Sequence, residues 1–257
     1  MAGTGEKELQ QLKKRLLELA DKSYRRGIYT YTSFLGLAEQ QVFYEIEKEV
    51  AYAGVGLEGG APACERKMIR FGSVENLGYE EEYPIACLEM APVTPKFADT
   101  LTHRDFLGAI MNHGIERDTI GDIFVRDGGG ILFCKQSIAP YLLENLTQVK
   151  HTSIRCRILE DTVSLQSAEP EEISLTVSSA RIDSVIAKIY HMSRSRSLEL
   201  FSAGKIYVNG IATENGSYQL KKDDAVTVRG YGKFIFYGMT SETRKGRERI
   251  SVGIYKS

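Results

Sequence analysis

Ser193, Arg194, Ser195, Arg196 and Ser197 alternate hydroxyls with guanidinium groups where a helix should begin. A serine at such a point caps free backbone N–H groups. Two arginines there conflict with the partial positive charge of a helix N-terminus, a cost of a few tenths up to about 1 kcal/mol. A phosphate removes the conflict, because free N–H groups and guanidinium forks grip the same anion. The chemistry this spacing supports is anion binding. Both arginines are expected just after the Ser193 cap, with no carboxylate of their own helix near enough to neutralise them. Internal pairing of Arg194 with Asp183 is the alternative.

Several elements must position that stretch. Residues 180–192, ARIDSVIAKIYHM, have helical period: Ile182, Val185, Ile186 and Ile189 share one face, and Arg181 and Lys188 lie off it. The chain turns at His191-Met192. Leu198 and Phe201 are expected to form the buried side of the second helix, and Gly204 to end it. Ile206 and Val208 alternate with Tyr207 and Asn209, and Asn209-Gly210 makes a turn. VTVRGYGKFIFYG supplies two more strand pieces, with Val226 and Val228 on one face and Thr227 and Arg229 on the other. Two short helices on a small sheet result, with Lys205, Arg229 and Lys233 extending the basic surface. His191 beside the cluster is either solvated or a contact to a base or phosphate.

Charge agrees with an anionic ligand. From residue 178 onward there are 14 Lys/Arg and 7 Asp/Glu; the whole chain has 33 and 34, which leaves 19 and 27 for the rest. A balance of +7 on a body of −8 suggests nucleic acid, the alternative being a solvated basic face. The last residues, TRKGRERISVGIYKS, read as a mobile arm that orders on RNA or as an edge strand. No apolar run of 18 residues occurs, so no membrane contact is expected. The first residues lack a signal-peptide core. Cys64, Cys87, Cys134 and Cys156 are far apart and read as buried free thiols in a reducing cytoplasm. The histidines at 103, 113, 151 and 191 lack metal-ligand spacing. No metal, cofactor or catalytic residue is expected.

The remaining chain reads as α+β. Residues 1–76 form a small α/β unit: a helix over 6–26 with Leu9, Leu12, Leu16 and Leu19 on one face, then a helix capped by Thr32 or Ser33, then the strand KMIRFGS. Residues 77–170 give β-α-β-β-α-β, the ferredoxin-like pattern shared by RNA-recognition modules. Its strand ILFCK offers only Phe133 for base stacking, so topology alone does not make it an RNA reader. Thr102 and Asp105 form a capping-box pattern, which accounts for His103-Arg104-Asp105 better than a kinase loop does. His103 and Arg104 remain open as surface RNA contacts. Residues 166–177 read as an acidic connector before the unit at 178–257. Gly54-Val-Gly56-Leu-Glu-Gly59 matches a dinucleotide loop in letters only, since Pro62 follows.

Arg181-x-Asp183, Ser193-Arg194, Gly204-x-Ile206-x-Val208-Asn209-Gly210 and Asp223-Asp224 together resemble the S-four RNA-binding domain. Ser197 stands where many members have alanine, and Ile206 where valine is usual. The resemblance implies binding of structured RNA through Arg181, Ser193, Arg194, Arg196, Lys205 and Asn209; Lys188, Arg229 and Lys233 join them from the charge pattern. With GGAPACERKMIRFGS, LTHRDFLGAIMNHGIERDTIGDIFV and VRGYGKFIFYG, nearly the whole chain resembles the YlmH family. That implies a non-catalytic, ribosome-associated factor, monomeric off the ribosome. Its implied partners are the large ribosomal subunit, its rRNA and peptidyl-tRNA in the rescue of stalled translation. The alternatives are an RNA-modifying enzyme, for which neither a Gly-Arg-Leu-Asp motif nor a cofactor loop is found, and a scaffold for cell division.

Overall fold

The computed structural model describes residues 2–126, 128–160, 170–243 and 246–255. The fold is α+β, and the chain divides into two compact units, Met1–Gln166 and Ser167–Ser257.

The first unit opens with α1 (Ala2–Arg26), β1 (Thr30–Tyr31), α2 (Leu37–Val50), β2 (Val55–Glu58), β3 (Met68–Phe71) and the single turn α3 (Val74–Leu77). Leu16, Leu19 and Ala20 of α1 are buried against Val42, Phe43, Ile46 and Val50 of α2, whereas Leu9 lies outside the core. The cap of α2 is Gly36, not Thr32 or Ser33: the Glu39 carboxylate accepts the Gly36 N–H at 2.6 Å. Thr32 instead ties the chain to β3, its hydroxyl accepting the Ile69 N–H at 2.9 Å. The strands pair antiparallel in the order β1-β3-β2. Gly54 turns the chain at φ 73, and Gly56 then lies inside β2, so the glycine motif runs as a strand and opens no helix.

The same unit continues with β4 (Ile85–Pro92), α4 (His103–Met111), β5 (Ile120–Arg126), β6 (Gly129–Lys135), α5 (Ala139–Asn145), β7 (Gln148–Val149) and β8 (Thr152–Ile158). The sheet order β5-β6-β4-β8-β7 is the split βαβ arrangement with a short added strand. Thr102 and Asp105 close the expected box at the start of α4, with the Thr102 N–H donating to the Asp105 carboxylate at 2.8 Å. One sheet face buries Leu88, Met90, Ile123, Leu132 and Ile154 under Phe106, Ile110 and Leu142. The opposite face is covered in part by the N-terminal segment: Phe34, Cys64 and Met68 pack on Cys87 and Phe133. Arg66 stitches the two segments, its N–H donating to Asp122 and its guanidinium to the carbonyls of Ile120 and Phe34, each at 2.9 Å. Residues on either side of position 76 therefore share one core. Burial pushes the thiols of Cys64, Cys87 and Cys134 up to about 12, and that of Cys156 up to about 11.

The second unit holds β9 (Glu171–Val177), α6 (Ile182–Ile189), α7 (Arg194–Ser202), β10 (Ile206–Val208), β11 (Ile211–Ala212), β12 (Asp224–Val228), β13 (Gly232–Glu242) and β14 (Glu248–Ile254). Its sheet runs β11-β10-β12-β13-β14-β9. Two expectations change here. Residues 171–177 are a strand on the sheet edge, where a connector was expected; of the rest of that connector, residues 166–169 lie outside the described residues and Pro170 directly precedes the strand. The last described residues are an interior strand, with Ile250 and Val252 buried, because β9 takes the edge. Arg244 and Lys245 lie outside the described residues. Counting from residue 167 adds Glu169, Glu171 and Glu172, so the unit's balance falls from +7 to +4.

The shared core of the first unit generates a test. Gly60 sits at φ 96, and a Cβ built there collides with the Phe133 ring. Gly60→Ala combines a left-handed backbone penalty with overpacking. It is expected to cost about 2–4 kcal/mol. Urea unfolding followed by a probe in residues 1–160 measures it; an unchanged midpoint overturns the account of this interface.

Candidate RNA interface

The helix corner follows from local sequence. Ile182, Val185, Ile186 and Ile189 of α6 enter the core, and His191 reverses the chain at φ 50. The Met192 N–H closes on the Ala187 carbonyl at 3.0 Å. Ser193 then caps α7, its hydroxyl accepting the Arg196 N–H at 3.2 Å. The inner face of α7 is Ser197, Leu200 and Phe201; Leu198, expected inside, is 43% exposed. A helix turn places residues 197, 200 and 201 on one face and carries 198 about 100° away from 197.

Asp183 organises the corner. It has no exposed surface, and three arginine nitrogens donate to it: Arg181 Nε at 3.2 Å, Arg181 Nη2 at 3.0 Å and Arg194 Nε at 2.9 Å. Its own helix adds the Ser184 N–H at 2.8 Å. Burial acts to raise the Asp183 pKa, but the two guanidinium groups outweigh it and hold the carboxyl below its ordinary range. Arg194 thus takes the internal role that was the alternative in the sequence. Ser197 is the reason: its buried hydroxyl donates to the Asp183 carbonyl at 3.0 Å, drawing the start of α7 onto α6. Two guanidinium groups share one carboxylate, so the cluster keeps one net positive charge. The arginine side chains remain 32% and 53% exposed.

Arg196 also has a carboxylate, against expectation. Its Nη1 donates to Glu199 at 2.5 Å, an i,i+3 pair exposed on both sides. Glu199 first, and Tyr231 after it, favour its charged form. Exposed pairs of this kind exchange readily with water and competing anions.

The other candidate residues divide by what they touch. Lys188 is exposed on α6. Lys205 and Arg229 stand side by side at a sheet end, the Arg229 N–H donating to the Lys205 carbonyl at 2.9 Å, and both are exposed. Lys233 is half-buried, with Nζ 5.5 Å from the Tyr255 ring centre. The Asn209 amide is committed to the fold: it donates to Asp224 at 2.9 Å and accepts the Ala225 N–H at 2.9 Å. That pairing holds the turn at Asn209 and Gly210, with φ 51 and 83. Tyr231 was not singled out in the sequence. It lies 38% exposed between β12 and β13, and its ring centre is 5.6 Å from that of Tyr190. The signal was Arg-Gly-Tyr-Gly-Lys, an aromatic between two glycines and two cations. Among the described residues no group of three or more His, Cys, Asp or Glu forms a metal site, and no helix is long and apolar enough to cross a membrane.

Comparison with known proteins adds three findings. Residues 79–162 match the family model described as "Putative RNA-binding domain in YlmH". The chain is 26% identical over 237 residues to the ribosome-associated protein quality control protein P2 of Bacillus subtilis (strain 168), covering 91% of this chain and 89% of that protein. Among solved structures it is similar to the cell division protein ylmH from Streptococcus pneumoniae, with 16% identity and a TM-score of 0.47 over 63% of this chain and 94% of that one.

Asp183 provides the site's test. Because its folded pKa is lowered, its contribution to stability is present above the unfolded value of about 3.9 and is lost as pH falls through the folded value. Asp183→Asn is expected to destabilise the second unit by about 2–4 kcal/mol at pH 7, since two arginines lose their shared partner. The gap from wild type should narrow below about pH 4. Thermal melts from pH 3 to pH 7 check this; a gap that is constant with pH would show that the carboxylate is not ionised between the arginines.

Proposed function

We propose that this chain, which belongs to the YlmH family, is a non-catalytic RNA-binding protein that acts on the ribosome in the cytoplasm. In this reading the second unit is an S-four domain that grips structured RNA. The observation that carries it is the helix corner. There Arg181 and Arg194 share a single buried carboxylate, and Arg196 stands beside the capped start of α7. The corner has net positive charge, exposed guanidinium groups and free helix-end N–H groups, which together suit a phosphate. Lys188, Lys205 and Arg229 offer further exposed cations on the same unit.

The finer reading is that the RNA is large-subunit rRNA, peptidyl-tRNA or both, during rescue of stalled translation. Support comes from the Bacillus subtilis relative, whose name places it in ribosome-associated quality control. Residues 79–162, matched by the family's RNA-binding model, would add a second contact. The sequence offers only Phe133 in that domain's ILFCK strand for base stacking, on a front part with an acidic balance. The structure buries Phe133 completely, so any contact there uses another surface.

Binding by about five phosphate contacts should weaken about 10²–10³-fold between 50 and 200 mM salt through counterion release. Arg196→Ala and Lys188→Ala test this without disturbing Asp183. Each should lower the logarithmic salt slope by about 0.9 and leave the melting temperature nearly unchanged. Titration with large-subunit rRNA, alongside co-sedimentation with ribosomal particles, measures both. Affinity independent of salt, or a protein that never travels with particles, would sink the proposal.

A further inference from the structure

We infer that Tyr231 is a stacking platform for one unpaired base, so the RNA that fits the second unit presents an extruded nucleotide beside its gripped phosphates. This rests on the RNA-binding reading above and specifies its ligand. Among the described Phe and Tyr residues of this unit, Tyr231 is the most exposed. Phe201, Tyr207, Phe234 and Phe236 lie in the interior.

The ring is held, not free. Gly230 and Gly232 take φ 87 and 137, which allows the chain to turn tightly on both sides of the tyrosine. The Tyr231 N–H closes the turn on the Val228 carbonyl at 2.9 Å. Tyr190 packs against the ring at 57°, itself fixed at the rim of the core. The Tyr190 hydroxyl is buried without a partner among the described residues, so packing, not a polar tether, sets that support. Tyr231 lies near enough to Arg196 to favour the guanidinium's charged form.

The surroundings select the partner. Arg196 lies near the tyrosine, Arg229 and Lys233 flank it in the chain, and Glu199 pairs with Arg196. An apolar protein partner would desolvate these cations at a cost, whereas a nucleotide supplies a flat ring and a phosphate together. Bases inside an uninterrupted duplex present no face to a side chain, so the stacked base must be extruded or in a loop.

The experiment uses the full-length protein and two RNA hairpins that differ by one bulged nucleotide in the stem, titrated by fluorescence anisotropy. Wild type should favour the bulged hairpin by about 5- to 150-fold, the range of one base–aromatic stack. Tyr231→Ala should erase that preference and keep the salt slope, because no phosphate contact is removed. Tyr231→Phe should keep the preference, since the ring remains. Equal affinity of wild type for the two hairpins overturns the inference and leaves RNA binding intact. So does a Tyr231→Ala protein that still prefers the bulge, or one that loses affinity for both hairpins alike. Failure of wild type to bind either hairpin at low salt sinks the functional reading itself.

Discussion

A carboxylate with no exposed surface stays ionised only when its charge is met nearby, and Asp183 is met by two arginines from different helices. The geometry of the second unit's helix pair hangs on that requirement. Arg181 comes from just before α6 and Arg194 from the first turn of α7, so satisfying one carboxylate fixes where α7 starts relative to α6. Ser197 adds a neutral bond to the same residue's carbonyl. The capping serine, the reversal at His191 and the burial of Leu200 and Phe201 all follow from this placement.

The same arrangement settles how a cation-rich helix start is tolerated. The penalty for arginines at a helix N-terminus applies to uncompensated charge. Arg194 is compensated by a carboxylate inside the fold, and Arg196 by Glu199 at the surface. These two pairs differ in kind. Asp183 is inaccessible and cannot leave its arginines, so Arg181 and Arg194 meet any ligand with one charge already matched. Glu199 is exposed, and its hold on Arg196 is open to competition. The corner thus offers a rigid pair of half-used guanidinium groups beside one exchangeable guanidinium.

Much of this was legible in the sequence, and the misses have physical causes. Helical period located α6, and the Ser193 cap and Asn209-Gly210 turn were readable because each is set by residues close in the chain. The split βαβ order was readable for the same reason. Leu198 was misplaced because leucine's apolarity outweighed Ser197 in reading the buried face, yet the serine hydroxyl finds a carbonyl and goes inside. Asp183 as the partner of Arg194 is a contact across 11 positions, which no local pattern fixes. Strand β9 pairs with β14 across more than 70 residues, and its acidic lead-in hid the alternation of Ile173, Leu175 and Val177. Glu199, by contrast, lay one turn from Arg196 and was readable.

The covering of Phe133 bears on what a shared topology licenses. The split βαβ sheet exposes one face when it stands alone, and that face is where RNA-recognition modules stack bases. Here Gly60 lies directly against the Phe133 ring, and Phe34, Cys64 and Met68 fill the space around it. The strand order is retained while that part of the surface is lost to a neighbouring segment of the same chain. Exposed Arg155 and Arg157 of β8 lie beyond the covered part, with Arg157 paired to Glu89. Base stacking by residues 79–162 therefore needs a ring other than Phe133, and Phe97 and Tyr141 are exposed aromatics that could offer one. Topology determined which residues neighbour one another in this sheet; whether they meet solvent was decided by a segment that the topology does not include.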